Sequence, residues 1–96
     1  MEEVVRRHPD RVPIKIDEES DIDVDRRKYL VPRTMTLGDF VTYIRKRIQL
    51  EPSEAMFILI GGVLPPISST FETLYITHVS EDRLLRILLK KENTFG

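Results

Sequence analysis

Few residues in this 96-residue chain carry the chemistry of a catalyst. His8 and His78 are its histidines, cysteine is absent, and neither histidine comes with the neighbouring ligands or paired acid that metal binding or general-base work requires. The hydroxyl run Ser68-Ser69-Thr70 has no adjacent base, and it follows Pro65-Pro66 where a helix cap belongs. Gly61-Gly62 lacks the spacing and the lysine of a phosphate loop and reads as a turn. No catalytic residue, metal ligand or cofactor is assigned. The most distinctive chemical feature is the end of the sequence, Glu92-Asn93-Thr94-Phe95-Gly96. A carboxylate that must be activated, passed to an enzyme thiol and then to an amine gains from a glycine, because a narrow transfer channel has to admit it.

Recognition chemistry is better supplied. Residues 28–50, KYLVPRTMTLGDFVTYIRKRIQL, begin with a strand whose alternation separates Tyr29 and Val31 from Lys28 and Leu30. Pro32 cannot donate to a sheet ladder, which places this strand at a sheet edge, where it can accept a guest peptide. Thr36-Leu37-Gly38-Asp39 is a capping-box variant, and Leu37, Val41, Ile44 and Ile48 then form a helical stripe facing the core. Phe40 and Tyr43 lie beside that stripe, so that with Tyr29 and Val31 they line a groove between helix and edge strand. Arg11, Lys28 and Arg47 form a basic rim, which suits peptides bearing acidic residues near an aromatic anchor.

The elements that position these residues follow in order. Residues 2–8 make a short helix stopped by Pro9, with acidic residues early and basic ones late. Residues 10–17 alternate as a strand, with Val12, Ile14 and Ile16 on one face and Pro13 and Lys15 on the other. The acidic segment 17–25 is too polar to bury and loops back into an antiparallel edge strand. Residues 36–50 are the main helix, ended near Pro52. Residues 56–60 read as a strand buried on both faces. Gly61-Gly62 turns the chain, residues 70–77 hold a short helix, and residues 84–89 close the sheet with Leu85, Ile87 and Leu89 inward. This order predicts an α+β fold of the β-grasp, ubiquitin-like class: a mixed sheet around one main helix, preceded by a short N-terminal helix. The expected divisions are an N-terminal helical segment 1–9, a β-grasp domain 10–91 and a flexible conjugation tail 92–96.

Composition narrows the function further. Fifteen basic against sixteen acidic residues leave a net charge of -1, which argues against bulk nucleic-acid binding. The clusters Arg26-Arg27-Lys28 and Arg45-Lys46-Arg47 read as solvated faces, a nucleic-acid role for the second being the weakest alternative. The length suits one domain burying roughly 60–65% of its unfolded surface. Absence of cysteine and of any apolar run long enough for a signal or a membrane span suits a soluble cytosolic protein.

HPDRVP, KYLVP, FVTYIRKRI, the LPP at residues 64–66, Leu74-Tyr75 and the terminal ENTFG together resemble the autophagy-related protein 8 and GABARAP family of ubiquitin-like autophagy modifiers, over almost the whole chain. The resemblance implies that Gly96 is activated by an E1-like enzyme, transferred through an E2-like enzyme and joined to phosphatidylethanolamine, with a cysteine protease for processing and deconjugation. It implies a cytoplasmic protein found on autophagosome membranes when lipidated, a modifier and not an enzyme. It further implies receptor peptides with aromatic-x-x-aliphatic motifs added beside KYLVP. The aromatic pocket would use Val4, Pro13, Lys28, Leu30 and Leu84, with Lys15 where the family usually has an aliphatic residue and Leu84 in place of a common phenylalanine. The aliphatic pocket would use Tyr29, Val31, Pro32, Met35, Phe40 and Tyr43. The other reading is an unconjugated ubiquitin-like module that binds peptides through the groove alone.

Overall fold

The computed structural model describes residues 9–48 and 50–93. The expected N-terminal helix, with Val4 and His8, lies outside them, as do residues 94–96. Six elements follow in order: β1 (Arg11–Ile16), β2 (Lys28–Pro32), α1 (Leu37–Arg47), β3 (Glu54–Leu59), α2 (Phe71–His78) and β4 (Leu85–Asn93). The strands form one mixed sheet in the order β2-β1-β4-β3. β1 pairs antiparallel with β2 and parallel with β4, and β3 pairs antiparallel with β4. The two apolar central strands thus sit inside the sheet, and α1 lies over one face, as the β-grasp expectation required.

The alternation of β1 decides that arrangement. Val12, Ile14 and Ile16 are almost wholly removed from water, and they meet Leu85, Ile87 and Leu89 of β4 in the same core. From α1 come Leu37, Phe40 and Ile44, while Val41 and Ile48 are only half-buried. The stripe is therefore centred one position away from its expected line, with Phe40 inside it and not on its shoulder. An aromatic three residues after Leu37 and four before Ile44 shares their face, and burying a ring outweighs burying a valine. At the N-terminus of α1 the Thr36 hydroxyl accepts from the Asp39 N–H at 3.1 Å and the Asp39 carboxylate accepts from the Thr36 N–H at 3.3 Å. The helix ends at Arg47, before the residue-50 limit expected, with Ile48 as an extended C-cap.

Three further expectations are corrected. β3 is an edge strand, not one buried on both faces: Met56 and Ile58 point into the core, whereas Phe57 is 37% exposed. A continuous apolar run carries no period that separates the two cases. The acidic segment is not wholly solvated, since Ile22 is buried and Val24 packs against the core. The main chain around them is fixed to β4: the Asp17 N–H donates to the Ile87 carbonyl at 2.8 Å, and the Asp21 N–H to the Leu89 carbonyl at 2.9 Å. Finally, β4 runs on to Asn93, pairing Glu92 with Ala55 and Asn93 with Glu54, so residues 92 and 93 belong to the sheet and not to a tail.

The turn and the short helix follow the sequence. Gly61 and Gly62 both have positive φ, 60° and 79°, the geometry a two-residue hairpin demands, and Ile60 bridges Val63 across them. α2 is capped by Thr70, the last residue of the hydroxyl run, and buries Phe71 and Leu74.

Replacing Thr36 by alanine removes half of the capping box and leaves the Asp39 N–H without its acceptor. Urea denaturation is expected to show a loss of about 1 kcal/mol with an unchanged slope; no loss would mean that solvent caps the helix equally well.

Candidate functional site

The site is built where β2 and α1 diverge. β2 is an edge strand, and its inward residues Tyr29 and Val31 face α1, whose Phe40 and Tyr43 lie about one turn apart. Pro32, the last residue of β2, and Met35, on the link to α1, close the end. All six residues of the expected aliphatic pocket line a single cavity of about 230 Å³, together with Leu30, Arg11 and Arg26.

Aromatic contacts fix its shape. The Tyr29 ring meets Phe40 at 5.7 Å and Tyr43 at 6.1 Å, with interplanar angles of 83° and 87°. Phe40 in turn meets Phe71 of α2 edge-on at 5.5 Å. In each of these pairs a positive ring edge faces a negative ring face, an arrangement worth about 0.5–1.5 kcal/mol beyond burial. Phe40 is 1% exposed and Tyr29 6%, so they form floor and wall, while Tyr43 at 38% presents its ring to solvent.

The rim is basic, with one change from expectation. The Arg26 guanidinium stands 4.9 Å from the centre of the Tyr29 ring, and that of Arg47 stands 5.6 Å from the centre of Tyr43 while pairing with Asp25 at 3.8 Å. Arg11 reaches the cavity from β1. Lys28 does not line it and instead stands opposite Lys15 in the β1–β2 register, farther along the strand than Leu30 and Pro32. Arg26 takes its place. Sequence reasoning passed over Arg26 because it precedes the strand, where no period assigns a direction; the available signal was an arginine three residues before a tyrosine destined for the groove.

On the outer face of the sheet the residues of the expected aromatic pocket form adjoining rows. Pro13 is paired with Leu30 of β2 and, one register step before the Ile14–Leu85 pair, stands level with Leu84. Pro13 and Leu84 are buried, and Leu84 is separate from the main core. Lys15 occupies the next outward position, between Lys28 and Arg86. Of the other sequence candidates, His78 is half-buried against the hairpin turn, a Cβ on Gly61 falling 3.0 Å from its Nδ1. Arg45 donates to the Glu54 carbonyl at 3.3 Å and Arg47 is engaged as above, so two members of the 45–47 cluster are tied into the fold. Among the described residues no group of acidic, histidine or cysteine side chains is arranged to hold a metal, and no helix is long and apolar enough to cross a membrane.

A β-grasp sheet around one long helix, with an aromatic cavity beside a free strand edge, defines a ubiquitin-like protein. A family model described as "Autophagy protein Atg8 ubiquitin like" matches residues 1–96, and the chain belongs to the Atg8 family. It is 46% identical over 93 residues to Autophagy-related protein 8 of Schizosaccharomyces pombe, covering 94% of this chain and 77% of that protein. It is 44% identical over 93 residues to Autophagy-related protein 8d of Arabidopsis thaliana, covering 94% and 78%. The crystal structure of Trypanosoma brucei ATG8 superposes with a TM-score of 0.84 at 40% identity, over 99% of this chain and 84% of that one.

The cavity wall also has a titration signature. Burial raises the Tyr29 hydroxyl above the ordinary 10.0, and nearby Tyr43 adds to the rise, against the lowering effect of Arg47 and Arg26. The folded protein therefore holds this proton to higher pH than the unfolded chain. The resulting stability is complete below the ordinary tyrosine range and is lost as pH rises through the folded value. Tyr29→Phe should lose less stability than the wild type between neutral and strongly alkaline buffer, measured by urea denaturation at both; equal losses would show that Tyr29 titrates as if exposed.

Proposed function

We propose that this Atg8-family chain is a modifier, not a catalyst, which is joined through the Gly96 carboxylate to phosphatidylethanolamine and recruits peptides through the β2 groove. The observation that carries the conjugation half is a family match running through to Gly96, on a sequence whose catalytic inventory is otherwise empty. Glycine suits the chemistry: an acyl group relayed from an adenylate to a thioester and then to an amine meets least hindrance when its Cα bears no side chain. The partners for this are an E1-like and an E2-like enzyme, with a cysteine protease for processing and release. The protein then cycles between cytoplasm and autophagosome membrane, its membrane attachment supplied by the covalent lipid.

The recruitment half is supported by the groove. A receptor segment with an aromatic-x-x-aliphatic motif would add as a strand to β2, its aliphatic residue entering the cavity of Tyr29, Phe40 and Tyr43. Its aromatic residue would lie over the row of Pro13, Leu30 and Leu84, with Lys15 and Lys28 beside it. An interface this small gives micromolar affinity, about -7 to -9 kcal/mol.

The deciding experiment is reconstitution with E1-like and E2-like enzymes, ATP and phosphatidylethanolamine liposomes. Mass spectrometry should find the lipid on the C-terminal peptide of the wild type and none when Gly96 is deleted. Lipid on the deletion variant would move the attachment away from Gly96, and none on the wild type would leave only an unconjugated peptide-binding module. Recruitment has its own test. Tyr43→Ala removes a half-exposed wall that is not itself a core residue, and it should weaken a motif peptide by about 1–2 kcal/mol in titration calorimetry; an unchanged affinity would place the peptide elsewhere.

A further inference from the structure

β4 loses its support on one side before it ends. The Leu89 N–H donates to Ser20 Oγ at 3.0 Å, the Leu89 carbonyl accepts from the Asp21 N–H at 2.9 Å, and the Lys91 N–H reaches Asp21 Oδ2 at 3.5 Å. Leu89 and Lys91 thus turn their main-chain groups toward the acidic loop, and by the two-residue period of a strand Lys90 and Glu92 turn theirs toward β3. Lys91 is tied on both sides, since its ammonium also pairs with Glu54 of β3 at 3.6 Å. Beyond it the acidic loop offers no further partner among the described residues, and Lys91 itself borders an open cavity of about 300 Å³ with Ile22, Ile48 and Leu50. Glu92 and Asn93 pair only with β3, opposite Ala55 and Glu54.

We propose that the pairing of Glu92 and Asn93 with β3 is a latch on the C-terminal carboxylate, which has to open about Lys91 before Gly96 can enter the channel of a conjugating enzyme. The proposal rests on the conjugation reading above and concerns how that site is regulated. With the latch closed, residues 94–96 span at most about 11 Å from the end of β4, whereas opening to Lys91 frees residues 92–96, about 18 Å. Width matters as much as reach. A paired strand carries β3 beside it at a spacing of about 4.8 Å, and a channel narrow enough to favour a glycine admits one extended chain, not a two-stranded ribbon. The opening stops at Lys91 because the residues before it are fastened along both edges, Lys90 also pairing with Asp21 at 3.6 Å. Peeling the strand end uncovers little apolar surface, Glu92 being exposed and Ala55 small, so it is a local opening and not an unfolding of the domain. The rate at which an enzyme takes up the tail is then scaled by the fraction of molecules with the latch open.

The chain has no cysteine, so Ala55→Cys with Glu92→Cys places two thiols directly opposite each other, and dibromobimane joins them by thioether bonds that a reductant does not cleave. ATP-dependent charging of an E1-like enzyme is compared for the wild type, the double variant with free thiols, its crosslinked form, and a crosslinked form with Gly-Ser-Gly-Ser inserted between Asn93 and Thr94. The crosslinked form should charge at least about tenfold more slowly than its uncrosslinked parent, and the spacer should restore the rate to within about threefold. An unchanged rate after crosslinking would overturn the latch. A spacer that restores nothing would do the same, because the crosslink would then be blocking a docking surface. Hydrogen exchange on the wild type needs no variant to fold: the Glu92 amide, turned toward β3 like that of Lys90, should exchange at least about tenfold faster than the Lys90 amide. Equal protection of the two amides would mean that no latch opens at Lys91. A wild type that is never charged would instead overturn the conjugation reading itself.

Discussion

Phe40 is held by the core on one side and forms the cavity floor on the other, and most of the arrangement depends on that double duty. Its ring contacts Phe71 of α2 behind it and Tyr29 of β2 beside it, while almost none of its own surface reaches water. The helix cannot roll to present a different face without withdrawing this ring from both neighbours. β2 is thereby kept at a fixed distance from α1, and the space left between Tyr29, Tyr43 and Met35 is the cavity. The groove is the place where the packing of the core comes to the surface, built from the same contacts that stabilise the fold.

A second constraint comes from the sheet. The β1–β4 pair is parallel, so the chain has to cross the molecule to place β4 alongside β1, and β2 remains at one edge with β3 at the other. The acidic loop contributes more than a connection. Ser20 accepts from the Leu89 N–H at 3.0 Å, Asp21 pairs with Lys90 at 3.6 Å, and Ile22 fills a place in the core. Beyond the end of β1 this loop continues along β4 and supplies partners for main-chain groups that β1 no longer reaches.

Much of this was legible in the residues. β1, β2, α1 and β4 carry clear periods of two or near 3.6, the glycine pair marks its turn, and the Thr36 box marks a helix start; those signals are local and the fold obeys them. Four of the cavity residues, Tyr29, Val31, Phe40 and Tyr43, were legible too, because alternation on β2 and helical spacing on α1 suffice to bring their faces together, whereas Pro32 and Met35 were expected only from the family resemblance. What was not legible depended on tertiary choice. No period distinguishes a central from an edge strand in the run Met56-Phe57-Ile58-Leu59-Ile60, and nothing in Asp21-Ile22-Asp23-Val24 marks two apolar residues among acids as core. Phe40 was displaced from the expected stripe because packing favours the larger ring. Arg26 stands outside any regular element, so its position over Tyr29 exists only once the loop is folded.

The two sheet edges show how the same physical liability is met by different means. Unpaired strand groups invite pairing with other chains, and natural edges are shortened, charged or covered. On β3 the Glu54 carbonyl receives Arg45 from α1, and the Glu54 carboxylate pairs with Lys91 at 3.6 Å, so the beginning of that edge is tied into the body of the protein. On β2 the edge carries arginines at Lys28 and Leu30 and ends at Pro32, beyond which the chain bends away. Covering by side chains is reversible where covering by a helix is not. A flexible guanidinium can leave a carbonyl at small cost when something better is offered, and an edge protected in that way is still available to a partner. The cavity lies beside this reversible edge, with its two arginines in common. An edge guarded by charge and a pocket lined by aromatic rings are therefore one surface.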